Sequence, residues 1–216
     1  MKIIDASSTF ITEINTDEVM LRLGIIAGLC YRGMMYNDND LENATRIISN
    51  CVKNHHESVL EHYSVSISFN TSRDITHELV RHRLASFTQE STRYCNYSGD
   101  KFGNEIRVID IWNYIKDLKN AEDIHSAWML SCKEAEDKYF ELISLGTPVQ
   151  IARDVLPHSL ATTIIVTANL REWRHILKLR TASSAHPAIR DLMIPVLKKF
   201  KNELPVIFSD IELPNK

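Results

Sequence analysis

Residues 81–94 read Arg81-His82-Arg83-Leu84-Ala85-Ser86-Phe87-Thr88-Gln89-Glu90-Ser91-Thr92-Arg93-Tyr94. Two arginines flank a histidine, and after seven further residues Ser91 begins a second polar group that includes Arg93. The Arg81–Arg83 triplet holds no carboxylate to neutralise it. A guanidinium presents a planar fork of N–H donors, which suits a multiply charged anion and phosphate above all. The hydroxyls of Ser91 and Thr92, with neighbouring backbone N–H groups, suit the completion of a phosphate nest. Read alone, the run equally fits the solvated basic end of a helix.

Working outward from this stretch gives a mixed α+β pattern. Thr71-x-x-Asp74 has the form of a capping box and predicts a helix that carries the basic triplet. Just upstream, Val65, Ile67 and Phe69 alternate with Ser64, Ser66 and Ser68, the pattern of a half-buried strand. Residues 40–54 place Leu41, Ala44, Ile47, Ile48, Cys51 and Val52 on one helical face. Thr16-Asp17-Glu18 starts another helix, over the apolar run 18–31. Residues 2–14 read as two short strands around Ser7-Ser8. Downstream, 96–120 is irregular, with a strand expected at 106–111. Residues 121–145 form a long helix with Ile124, Trp128, Ala135, Tyr139 and Leu142 inward, stopped by Gly146. Thr147-Pro148-x-Gln150 starts a further helix as N-cap, N1 and N3. The β-branched run 162–168 predicts a strand. Asn169-x-x-Glu172 caps a helix through Leu179, and His186-Pro187 opens a last helix that ends before Pro205. No repeat or linker interrupts the chain, so residues 1–216 are expected to form one α+β domain: a small, mainly antiparallel sheet flanked by long helices.

Composition removes several function classes. The 216 residues carry a net charge of −3, with 44% hydrophobic and 25% charged residues. A general nucleic-acid binder would be strongly basic, so the cations near position 81 are a local site on a mildly acidic body. No apolar run approaches the ~20 residues a membrane span needs, and the opening MKIIDASSTF has no secretory apolar core. Cys30, Cys51, Cys95 and Cys132 contain no CxxC pair, which predicts reduced thiols and a cytoplasmic protein. The six glycines form neither GxGxxG nor a Walker loop, so a dinucleotide would not be held in a Rossmann crevice.

Three other groups carry chemistry. His55-His56-Glu57-Ser58 with Glu61-His62 superficially suggests zinc. HExxH, however, needs histidines four apart on one helical face, and His56 and His62 are six apart. We therefore expect no metal. Arg153, on a short helix, reads on its own as a partner of Asp154. Asn169, Arg171, His175 and Arg180 form a second basic group, in which Arg171 and His175 share a face. Asn169 suits an N-cap, and a helix N-terminus also attracts phosphate.

The stretch 81–94 resembles the signature of the flavin-dependent thymidylate synthase family: Arg-His-Arg, seven residues, serine. The flanking Ala85-Ser86, Gln89 and Arg93-Tyr94 are similar too, and the resemblance extends from about Met1 to beyond Pro187. It implies a homotetramer with sites built between subunits. It also implies methylation of dUMP to dTMP, with methylenetetrahydrofolate as carbon donor and FAD and NADPH as reductant. For dUMP it implies Glu78, Arg81, Gln89, Glu90, Ser91, Thr92, Arg93, Arg153 and Arg180, with Arg180 the catalytic group that polarises the pyrimidine. For FAD it implies Ser58, Arg81, His82, Arg83, Gln89, Asn169, Leu170 through its backbone, Arg171 and His175. Three positions depart from the family pattern: His77 for a common arginine, Glu78 for a frequent glutamine, and His186 for a frequent glutamine. The expected reaction needs no protein nucleophile, although Cys95 lies two residues beyond Arg93, where arginines would favour a thiolate. The alternatives are a basic helix binding RNA or a phosphopeptide, marked by steep salt dependence, and a zinc hydrolase.

Overall fold

Alternation makes the central strand. Val65, Ile67 and Phe69 are fully buried while Ser66 and Ser68 remain half-exposed, so the period of two places every apolar side chain on one face. The computed structural model describes residues 1–31 and 40–214. In chain order it forms β1 (Lys2–Ile4), β2 (Ser7–Phe10), α1 (Thr16–Gly28), α2 (Leu41–Lys53), β3 (Ser64–Ser72), α3 (Arg73–Leu79), β4 (Ala85–Gln89) and β5 (Arg107–Ile109). There follow α4 (Trp112–Ile115), α5 (Ala121–Ser144), α6 (Val149–Ala152), β6 (Ala161–Asn169), α7 (Leu170–Arg180), α8 (Pro187–Glu203) and α9 (Pro205–Phe208). A 3₁₀ turn at Glu57–His62 precedes β3, and another at Arg153–Val155 follows α6. The fold class is α+β, with a small antiparallel sheet in the order β2-β3-β6-β4. A separate pair, β1 and β5, is parallel, with Lys2 opposite Arg107 and Ile4 opposite Ile109. Among the described residues no helix is long and apolar enough to cross a membrane.

Two units divide the chain. The first comprises Met1–Ser7, Ser68–Arg81 and Phe87–Ile165. Its core gathers Tyr97, Ile106, Val108, Cys132, Tyr139, Ala152 and Leu160. The second comprises Ser8–Ile67, His82–Ser86 and Val166–Lys216. There Phe200 stacks on Phe208 with centroids 4.5 Å apart, and Phe10 and Trp173 pack around it. In the same unit α1 crosses α2 so closely that a Cβ on Gly24 would lie 2.5 Å from Ala44 Cβ, which only glycine allows.

Several expectations are corrected. The helix after β3 does not carry the basic triplet: α3 stops at Leu79, and Arg81–Arg83 lie in the turn between α3 and β4. The capping box fails because Ser72, not Thr71, takes the N-cap position, and its side chain makes no cap bond. Asp74 instead accepts the neighbouring Ile75 N–H at 2.9 Å. Strand β4 was missed, although Ala85, Phe87 and Gln89 turn inward while Ser86 and Thr88 face out. On α5, Ile124 is exposed, and the buried line is Cys132, Glu136 and Tyr139. Glu136 can be buried because it accepts Ile106 N–H at 2.9 Å and Lys133 at 2.6 Å. Pro148 sits at the N-cap of α6 rather than at N1. The expected strand at 106–111 is only Arg107–Ile109, and the first two strands flank Asp5-Ala6 rather than Ser7-Ser8.

Candidate active site

In the second unit, α7 organises the polar residues. Asn169 caps it, its Oδ1 accepting Glu172 N–H at 2.9 Å. Leu170 is buried, and its N–H donates to the Tyr63 carbonyl at 3.0 Å. Trp173, also buried, donates from Nε1 to the Val65 carbonyl at 2.9 Å. With this apolar face fixed, Arg171, His175 and Lys178 share the outer face at i, i+4 and i+7 spacing. They line a cleft of about 560 Å³ together with Asn169, Leu84, Glu57 and Glu61. Arg171 meets Glu61 at 2.5 Å, and both are about half exposed. Arg174, 1% exposed, is held by Glu57 at 3.0 Å, by both oxygens of Asp210 at 2.7 Å and by the Ile207 carbonyl. This guanidinium keeps the Asp210 carboxyl below the usual range.

His82 belongs to the same unit and is 5% exposed. Arg180 Nε donates to its Nε2 at 3.0 Å, while its Nδ1 lies 3.6 Å from Glu172 Oε1. The His175 ring stands edge-on, 5.8 Å away. Burial, then the charges of Arg180 and His175, push the His82 pKa down to about 4, so the ring is neutral at physiological pH. Burial also raises the Glu172 carboxyl, which His175 partly opposes. His82, Glu172 and His175 have donor atoms within 4.8 Å of one another. Arg180 takes the Nε2 of His82, so Nδ1 is the ring nitrogen that faces Glu172. His56 and His62 are both exposed.

The first unit assembles the other group. Gln89 Nε2 donates to Thr76 Oγ1 at 3.1 Å and Thr162 Oγ1 at 3.3 Å, and Glu90 N–H donates to the Thr163 carbonyl at 2.9 Å. Arg73 Nη2 holds the Glu90 carbonyl at 2.9 Å. The Glu90 carboxylate accepts from Tyr97 at 3.2 Å. Beyond it, Ser91 Oγ accepts the Arg93 N–H at 3.3 Å, and Arg153 donates to the buried Thr92 hydroxyl at 3.2 Å. Arg153 thus reaches Thr92, and its contact with Asp154 is loose at 4.0 Å. Arg81 is exposed and donates to the His77 carbonyl at 3.3 Å.

The family model for "Thymidylate synthase complementing protein" matches residues 16–206. The chain is 32% identical over 201 residues to a protein of Geobacter sulfurreducens named flavin-dependent thymidylate synthase, covering 91% of this chain and 83% of that one. This chain belongs to the flavin-dependent thymidylate synthase family. A member from Pyrococcus furiosus is 35% identical over 167 residues, which is 73% of this chain and 66% of its own length. Among solved structures, a UMP/dUMP methylase, PolB from Streptomyces cacaoi, bound with 5-Br dUMP, shares the fold with a TM-score of 0.78. It is 22% identical, and the match covers 97% of this chain and 96% of that one.

The residues that the resemblance implies sort by unit. Glu78, Arg81, Gln89, Glu90, Ser91, Thr92, Arg93 and Arg153 lie in the first. Ser58, His82, Arg83, Asn169, Leu170, Arg171, His175 and Arg180 lie in the second. Arg180, grouped by resemblance with the nucleotide residues, lies in the second unit and bonds His82. Sequence reading missed Glu61 as the partner of Arg171 and Glu172 as the neighbour of His82. Glu172 was legible only as a capping residue, because its second role needs a histidine far away in the chain. Of the departures, His186 caps α8, its Nδ1 accepting Ala188 N–H at 3.3 Å, and His77 packs edge-on to His158.

Proposed function

We propose that this chain methylates dUMP to dTMP, with FAD and NADPH as reductant and methylenetetrahydrofolate as carbon donor. The observation that carries the reading is the polar face of α7 on its cleft, with Arg180 fixed on a neutral histidine of the family signature. A cleft of this size is in the range that holds a cofactor fragment. Its cations and the adjoining helix N-terminus suit the anionic part of FAD. Bound flavin, reduced by NADPH, supplies the hydride equivalents. Asn169, Leu170, Arg171, His175, Ser58, His82 and Arg83 are proposed to hold FAD, shared with Arg81 and Gln89. Since Glu61 already occupies Arg171, an anionic cofactor must compete for that guanidinium.

The nucleotide is proposed to rest on Arg81, Gln89, Glu90, Ser91, Thr92, Arg93 and Arg153, with Glu78 near the sugar. Arg180 stabilises charge that develops on the pyrimidine carbonyls. We further propose that residues 1–216 act as one functional domain in a homotetramer with shared sites, and that four free thiols suit a reducing, cytoplasmic setting. Titrating FAD into the purified chain while following flavin absorbance tests the reading. Saturable binding that Arg171→Glu weakens is expected, and a folded chain that leaves FAD free contradicts it.

A further inference from the structure

The hydrogen bond from Arg180 to His82 fixes more than a distance. A guanidinium donates and cannot accept. His82 Nε2, 3.0 Å from Arg180 Nε, must therefore be the unprotonated nitrogen. The proton of the neutral ring then sits on Nδ1. From Nδ1 the nearby acceptor is Glu172 Oε1, at 3.6 Å. That contact is longer than a hydrogen bond, as such contacts often are before substrate tightens a site. Both side chains are nearly sealed from water, with His82 5% and Glu172 6% exposed. Glu172 is itself held in place, since its N–H is the one that Asn169 caps. The first turn of α7 thus aims this carboxyl inward at the histidine.

We propose that Glu172 is a positioning residue, which accepts the Nδ1 proton of His82 and so fixes the tautomer whose Nε2 holds Arg180. This rests on the role given to Arg180 under Proposed function. Without an acceptor at Nδ1, the ring proton is free to move to Nε2. A donor would then face a donor, and the guanidinium would lose its anchor. The requirement is for an acceptor oxygen and not for a negative charge, so glutamine at position 172 meets it through its side-chain carbonyl, whereas alanine does not.

The test is ¹⁵N NMR of the histidine-labelled full chain, with the His82 signals assigned from His82→Gln, alongside steady-state dTMP formation and FAD titration. In the wild type at pH 7 the His82 proton is expected on Nδ1. Glu172→Ala should move it to Nε2 and lower kcat about tenfold, less than the 10²-fold that a 1 Å misplacement can cost, while FAD still binds. Glu172→Gln should restore both the tautomer and turnover. Protonation of His82 on Nε2 in the wild type, an unchanged tautomer in Glu172→Ala, or a glutamine variant as impaired as the alanine one would each overturn the proposal. If Glu172→Ala does not fold, the wild-type and Glu172→Gln spectra still decide it. If the wild type makes no dTMP, the functional reading fails while the spectrum still reports the tautomer.

Discussion

At residue scale, burial decides what the ionisable groups do. An unfolded histidine titrates near 6.5, and His82 in the fold at about 4. Between these values the unfolded chain binds the extra proton, so the stability due to this group falls as pH drops from 6.5 to 4. Above the window it contributes no slope. The full span corresponds to about 3 kcal/mol. The charged and titratable groups facing the ring are Arg180, Glu172 and His175, and they remain in His82→Gln. Urea unfolding at pH 7, 6, 5 and 4 should show wild type losing more stability than the variant, and parallel pH curves would contradict this. Cys95 gives a second case. The sequence suggests that arginines activate it, but burial and then Glu90 raise its thiol, outweighing Lys101 and Arg73. Cys95→Ser should therefore keep dTMP formation within about tenfold, since loss of a covalent nucleophile costs far more. Abolished turnover in a folded, flavin-loaded variant would refute this.

At the scale of elements, α7 shows what the sequence discloses and what it hides. Its start at Asn169, its cap and its spacing of Arg171 and His175 are local, and all were legible. Arg174 was not, because nothing local distinguishes it from its exposed neighbours. Only the fold supplies Glu57 and Asp210, 117 and 36 residues away in sequence. The same contrast explains the basic triplet. Its composition pointed to a binding site, but whether it lay on a helix depended on Thr71, which is buried at the end of β3 instead of capping α3. Arg174 is 1% exposed, but its partners Glu57 and Asp210 are 18% and 47% exposed, so water can solvate them once the guanidinium is gone. Arg174→Met should thus cost about 2 kcal/mol in urea unfolding, the range of lost hydrogen bonds to charged groups. A loss under about 0.5 kcal/mol would show that the cluster is replaceable by packing alone.

At the scale of the whole molecule, the chain divides into two units, and no shift in composition or pattern marks the boundary between Arg81 and His82. A single motif is thus shared out, with its first arginine in one unit and its histidine and second arginine in the other. The helices and long strands were readable because periodicity is local. The β1–β5 pairing was not, because it joins segments about a hundred residues apart. These residues are proposed to serve flavin-dependent methylation of dUMP. The direct measurement is chromatographic detection of dTMP after incubating the purified chain with dUMP, methylenetetrahydrofolate, NADPH and FAD. dTMP should accumulate, and omitting either NADPH or FAD should stop it. No dTMP from the folded, flavin-loaded chain, or dTMP formed equally well without flavin, would contradict the proposal.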